Sequence, residues 1–170
     1  MKKYLILKNC RNYRIGKITI PRILEERVHN GISPTTEIDI SGEDQKLRFF
    51  DSETGQIFRQ YPLCLGKKET PTKEGTFIVA EKWKNPHYKK DGEYHFGKRN
   101  GLGGRLIILA DHYTNEKIAC SIHGIKNFRQ GFHTEGCIRL PYKEMRELFD
   151  MCDLGTLVYI HHTRNSGKSF

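Results

Sequence analysis

HTEGCIRL, at positions 133–140, is the most informative stretch of this chain. It leads from a loop that contains glycine toward the segment with the clearest helical period, Tyr142 to Met151. A helix N-terminus favours the thiolate form of a nearby cysteine, so Cys137 is a candidate nucleophile. Gly136 allows close approach of the backbone, and the amides of Gly136 and Cys137 are expected to point at a developing oxyanion.

A second short motif, Ile122-His123-Gly124, ends a predicted buried strand and offers a base for that thiol. An imidazole near Cys137 would take the thiol proton and later return it to a leaving amine. The residue types alone leave an alternative to the catalytic interpretation, since a cysteine and a histidine distant in sequence often only pack in a core.

The rest of the sequence is typical of a mainly β protein. Short apolar or alternating runs, separated by turn residues, predict seven strands. These are Glu37–Ile40, Lys46–Asp51, Gln56–Leu65, Gly75–Ala80, Arg105–Ala110, Lys117–His123 and Thr156–His161. One helix is predicted after Pro141, at Tyr142–Met151, and a weaker one at residues 21–30. The polar segment Asn85–Gly104 is predicted to be a long functional loop.

Composition narrows the class of protein. The length of 170 residues favours one domain. The net charge of +9 permits an anionic partner, but the lysines are dispersed, so nucleic-acid binding would rest on charge alone. Five cysteines without regular spacing argue against a disulfide framework and against a zinc module.

The sequence leaves the compartment open. No stretch approaches the ~20 apolar residues of a transmembrane helix. The apolar run after the basic start extends only from Tyr4 to Leu7, which is short for a signal-peptide core. The sequence is compatible with a protein that stays in the cytoplasm, with export by another route, or with a chain given without its leader.

Several motifs, in order along the chain, resemble the L,D-transpeptidase catalytic domain, also called YkuD-like, of bacterial cell-wall enzymes. The family pattern pairs His-Gly with Ser/Thr-x-Gly-Cys-Ile/Val-Arg, here His123-Gly124 and Thr134–Arg139. Further landmarks are Gln45-Lys46-Leu47, Thr70-Pro71-Thr72-Lys73-Glu74-Gly75-Thr76-Phe77, Asn100-Gly101-Leu102-Gly103 and Gly155-Thr156-Leu157-Val158. The resemblance covers about residues 36–161.

The resemblance implies a mainly β fold, a β-sandwich of two mixed sheets with one or two short α-helices. Residues 36–162 would form the catalytic domain, residues 1–35 an extension packed on it, and residues 163–170 a polar tail. The implied function is a peptidoglycan L,D-transpeptidase that cross-links stem tetrapeptides through a cysteine thioester. An L,D-carboxypeptidase and a non-catalytic cell-wall-binding module are the alternatives.

The resemblance also implies roles for individual residues. Cys137 would be the nucleophile, His123 the base and Gly124 the group that orients the imidazole. Support of the site or of the oxyanion would come from Gly136, Thr134 and Arg139. Substrate contacts are expected from His133, Glu135, Tyr94 and His95.

The remaining implications concern partners and location. Peptidoglycan stem peptides would be the substrate and carbapenem-type β-lactams the inhibitors, with no metal or cofactor needed and no nucleic acid bound. The protein would act in the cell envelope or periplasm.

Three departures from the family pattern together put substrate choice in question, and one of them is Gly101, which replaces a usual proline. Glu135 occupies a position that is often histidine, and a carboxylate there could raise the pKa of the thiol or, if it is turned outward, have no effect. His123 and Cys137 are also only 14 residues apart, so the loop between them is short.

Overall fold

The computed structural model describes residues 36–86, 88–90, 93–95 and 102–162. The strands are β1 Thr36–Ser41, β2 Lys46–Asp51, β3 Ile57–Pro62, β4 Cys64–Gly66, β5 Gly75–Lys84, β6 Tyr88–Lys90, β7 Glu93–His95, β8 Arg105–Asp111, β9 Lys117–Ile125, β10 Gly131–Thr134, β11 Ile138–Pro141 and β12 Leu157–His161. The helix α1 spans Tyr142–Met151. The expectations for residues 1–35, including the weaker helix, and for residues 163–170 lie outside the described residues.

Ten of these strands form one mixed sheet, in the order β10-β4-β11-β9-β8-β5-β12-β1-β2-β3. The pairs β1–β12, β10–β4 and β11–β9 are parallel, and the other neighbours are antiparallel. The prediction of a mainly β fold is confirmed. Because β11 bonds to both β4 and β9, the ladders are continuous. The strands therefore form one curled sheet rather than two separate mixed sheets.

Three segments differ from their predicted form. The expected strand Gln56–Leu65 is divided at Leu63, whose N–H donates to the Gln45 carbonyl at 3.0 Å. This break separates β3, which pairs with β2, from β4, which pairs with β10 and β11. Within the expected loop Asn85–Gly104, β6 pairs with β7 in antiparallel orientation. Residues 131–141 contain two strands, which are too short to show a period in the sequence.

The main core lies between the sheet and α1. The helix begins after Pro141, where a proline ring suits the first turn, and buries Met145, Leu148 and Phe149. These side chains belong to one cluster with apolar residues from β8, β9 and β11. The helix therefore fixes the position of β9 and β11 relative to each other.

The opposite face of the central strands carries a smaller apolar cluster. Leu102, Leu106 and Ile108 are buried there, with Trp83 packed against them. Ile107, which alternates with Leu106 and Ile108 along β8, belongs to the main core instead. Among the described residues, no helix is long and apolar enough to cross a membrane.

Candidate active site

The pairing of β9 with β11 places the two sequence motifs side by side. Ile138 pairs with Ile122, and Arg139 pairs with His123. Register partners in neighbouring strands lie on the same face of a sheet, so the His123 and Arg139 side chains share one face. Ile122 and Ile138 point into the main core, so this shared face is the one opposite α1.

Ser121 joins this face because it lies two residues before His123 in β9. Its Oγ is 3.7 Å from the Sγ of Cys137, within range of a hydrogen bond to sulfur. Cys137 is half-buried and immediately precedes β11, whereas Ser121 is buried. Ser121 was not predicted from the sequence, although its two-residue offset from His123 in a predicted strand was the available signal.

The His123 imidazole is almost completely buried, at 3% exposure. Its Nδ1 lies 3.2 Å from the backbone oxygen of Gly124. Because a carbonyl oxygen only accepts hydrogen bonds, this contact requires that Nδ1 carries the hydrogen. The tautomer that satisfies it leaves the lone pair on Nε2.

Internal hydrogen bonds of Thr134 close the loop before Cys137. Its Oγ1 donates to the Cys137 carbonyl at 2.6 Å and accepts from the Gly136 N–H at 3.1 Å. Gly136 has φ of 107°, a conformation that glycine adopts far more easily than other residues. The Gly136 amide is thus directed into the loop, which corrects the expectation that it points at an oxyanion.

The segment Gly66–Thr72 supports this loop from one side. Thr72 Oγ1 accepts from the Gly66 N–H at 2.9 Å and donates to the Gly136 carbonyl at 3.1 Å. The Cys120 thiol also donates to the Gly136 carbonyl, at 3.2 Å. Burial raises the pKa of the Cys120 thiol well above its ordinary value, and the neighbouring Cys137 adds to this effect.

Glu135 is bound to the same segment. One carboxylate oxygen pairs with the Lys67 ammonium, and the other accepts from Thr70 Oγ1 at 3.1 Å. Thr70 and Thr72 were noted in the sequence as part of a motif, but without a role. Their role as hydrogen-bond donors depends on which oxygen atoms they reach in the folded chain. The local sequence does not show this.

The helix dipole does not act where the sequence analysis expected it. Helix α1 begins at Tyr142, five residues after Cys137, and β11 lies between them. Four residues of strand span ~13 Å, whereas the influence of a helix end falls off within about one turn. The thiol environment is therefore set by β9 and the loop, not by the helix.

The other predicted site residues occupy more peripheral positions. His133 is exposed on β10, and Arg139 is half-buried. The Arg139 Nε is buried and has no hydrogen-bond partner among the described residues. Tyr94 and His95 lie in β7, but their side chains are outside the described part of the structure, so their roles stay predictions.

Known proteins resemble this chain in both sequence and fold. The profile of the YkuD family, described as the L,D-transpeptidase catalytic domain, matches residues 35–160. YqjB of Bacillus subtilis, named only provisionally as an L,D-transpeptidase, is 34% identical over 102 residues, which are 59% of this chain and 57% of that protein.

Solved structures show the same fold at lower identity. An L,D-transpeptidase of Enterococcus faecium superposes with a TM-score of 0.57 at 22% identity, over 75% of this chain and 50% of the other. The catalytic domain of an E. faecium L,D-transpeptidase acylated by ertapenem gives 0.55 at 24% identity, over 76% and 98%. The chain thus spans about half the length of YqjB and of the longer E. faecium chain.

The family profile covers about three quarters of this chain and includes the whole large sheet except the last residue of β12. The family consists of acyltransferases associated with the cell wall. This chain belongs to the YkuD family of L,D-transpeptidase catalytic domains.

Proposed function

We propose that this protein is a cysteine L,D-transpeptidase that forms L,D cross-links between peptidoglycan stem tetrapeptides. The observation that carries the proposal is the β9–β11 pairing, which sets the Cys137 loop against Ser121 and beside His123. A half-buried thiol immediately before the strand that pairs with His123, together with a buried imidazole of defined tautomer, suits acyl transfer through a thioester.

In the proposed mechanism, Nε2 of His123 accepts the Cys137 proton, and the thiolate attacks the carbonyl of the L-centre in the third stem residue. Collapse of the tetrahedral intermediate breaks the bond to D-alanine, whose amine leaves with the proton from His123. The thioester is then attacked by the amine of a second stem, which forms the cross-link and restores the thiol. Gly124 holds the imidazole through its carbonyl, in the role of the third member of a triad.

Supporting roles are assigned from the contacts of each side chain. Thr134 and Gly136 hold the backbone before Cys137, and we assign them to positioning. Arg139 lies beside His123 and has a buried Nε without a partner among the described residues, which suits it to a substrate carboxylate. His133, Glu135, Tyr94 and His95 remain proposed substrate contacts.

The same acyl-enzyme would make the protein an L,D-carboxypeptidase if water replaced the acceptor amine. Both reactions use one site, and only access of the acceptor separates them. A cell-wall-binding module without activity is the remaining alternative, and it would release no D-alanine.

Carbapenem-type β-lactams are the proposed inhibitors. The E. faecium catalytic domain that shares this fold is acylated by ertapenem. We propose that Cys137 opens the β-lactam ring by the same attack and retains the acyl group. The proposed place of action is the cell envelope, where stem peptides and these drugs meet.

The proposal is tested with a defined disaccharide-tetrapeptide, with and without a D-amino acid acceptor, and mass spectrometry of the products. We expect release of D-alanine and, with the acceptor, a product in which it has been exchanged. The variant Cys137→Ala should abolish both, while Cys152→Ala, which changes a buried thiol next to α1, should retain them. Full turnover by Cys137→Ala would exclude the proposed nucleophile.

A further inference from the structure

Glu135 places a carboxylate two residues before the nucleophile. A negative charge near a thiol disfavours its ionisation, because the thiolate would be repelled. The Glu135 side chain is also about half exposed, so burial does not neutralise it. A cysteine enzyme with this residue needs some means to limit its effect.

The structure contains such a means in the segment Gly66–Thr72. The Lys67 ammonium pairs with one carboxylate oxygen of Glu135, and Thr70 Oγ1 donates to the other. The same two residues hold the backbone of the loop, since Lys67 N–H donates to the Thr134 carbonyl at 2.9 Å and Thr70 Oγ1 lies 3.3 Å from it.

The segment is itself rigid enough to fix this geometry. The Thr70 N–H donates to the Lys67 carbonyl at 3.0 Å, which closes a turn. A Cβ on Gly66 would lie 2.2 Å from the Thr70 oxygen, so the chain crosses itself here at a distance that only glycine permits. Both partners of Glu135 therefore reach it from a closed turn rather than from a mobile surface loop.

We propose that Lys67 and Thr70 are positioning residues: Thr70 holds the Glu135 carboxylate and Lys67 neutralises its charge, so that the Cys137 thiol ionises as readily as it would without Glu135. The inference rests on the proposed function only in taking Cys137 as the reactive thiol. Other groups that titrate or carry charge on the surrounding strands are His123 and Cys120 on β9, Arg139 on β11 and His133 on β10. None of them is changed in the variants below.

The test measures the rate at which iodoacetamide alkylates Cys137 as a function of pH, with the site identified by peptide mass spectrometry. Lys67→Met should move the pH midpoint upward by about half a pH unit at low ionic strength, the order of magnitude expected for one uncompensated charge acting through a solvated surface. Glu135→Gln should move it downward, because Lys67 then lacks its partner. The double variant Lys67→Met/Glu135→Gln should return it to the wild-type midpoint.

Three controls show whether the charge of Lys67 causes the shift of the pH midpoint. Lys68→Met removes an exposed neighbouring lysine and should leave the midpoint unchanged. Lys67→Arg keeps the charge and should also leave it unchanged. Repeating the Lys67→Met measurement in 0.5 M salt should shrink the shift, since the Debye length is then only about 4 Å.

An unchanged midpoint in folded Lys67→Met, or the same upward shift in the double variant, would overturn the inference. Alkylation needs no peptide substrate, so the result is independent of the proposed reaction. If the shifts occur but stem peptides are not turned over, the proposed function fails while the role of Lys67 stands.

Discussion

The hydroxyl oxygen of Ser121 lies 3.7 Å from the sulfur of Cys137, at the point where β9 passes the loop before β11. A hydroxyl in this position can donate a hydrogen bond to a thiolate and so favour the ionised nucleophile. The contact is long, which limits its strength.

From this contact we expect Ser121→Ala to lower kcat/KM by about fivefold, which corresponds to roughly 1 kcal/mol for a weak hydrogen bond. Turnover of a defined tetrapeptide and the pH dependence of kcat/KM are the measurements, and the alkaline displacement of that profile is the diagnostic sign. Wild-type rate and profile in Ser121→Ala would show that the hydroxyl contributes only packing.

Thr72 links two parts of the backbone through one buried hydroxyl, accepting from Gly66 and donating to Gly136. Thr72→Val keeps the shape but leaves both backbone groups without this partner, so we expect a loss of about 1–3 kcal/mol in the free energy of unfolding. Denaturant unfolding measures this loss. Thr72→Ser is the matched control, because it keeps the hydroxyl, and it should recover most of both stability and turnover. Equal losses in the two variants would contradict this role of the hydroxyl, because Thr72→Ser keeps the hydroxyl and loses only the methyl group.

The sequence was sufficient to predict the mainly β class, the helix at 142–151 and most strand positions. Those elements depend on local signals, such as Pro141 before the helix and apolar alternation along β1 and β2. The short strands β10 and β11 were not predicted, because four residues cannot establish a period and their stability comes from pairing with β4 and β9. The site divides in the same way: Cys137 and His123 stand in recognisable motifs, whereas Ser121 and Lys67 are identified only by what they contact.

Gly66 provides a prediction about close backbone approach. A Cβ added there would meet the Thr70 oxygen at 2.2 Å and the Thr72 nitrogen at 2.6 Å, both of which belong to the backbone and cannot rotate away. Gly66→Ala should therefore destabilise the protein by more than ~2 kcal/mol and reduce turnover, since the segment that holds the nucleophile loop must shift. Gly55→Ala is the control, because Gly55 has φ of 71° but nothing within 4 Å, so only backbone strain of about 1 kcal/mol is expected. Thermal unfolding of the two variants should rank them in this order, and the reverse order would contradict the interpretation.

The buried thiols predict how stability depends on pH. Burial raises the pKa of Cys152 to about 11 and that of Cys120 well above its ordinary value. Below pH ~8.5 these thiols are protonated in both folded and unfolded chains, so their contribution is constant there. Above pH ~8.5 the unfolded chain loses these protons while the folded chain keeps them, so the free energy of unfolding should fall by about 1.4 kcal/mol per pH unit for each thiol. Urea unfolding between pH 7.5 and 10 measures the slope. In Cys152→Ala this slope should decrease by the contribution of one thiol, even if the cavity lowers the free energy of unfolding at every pH. A slope equal to that of the wild type would show that Cys152 ionises in the folded protein.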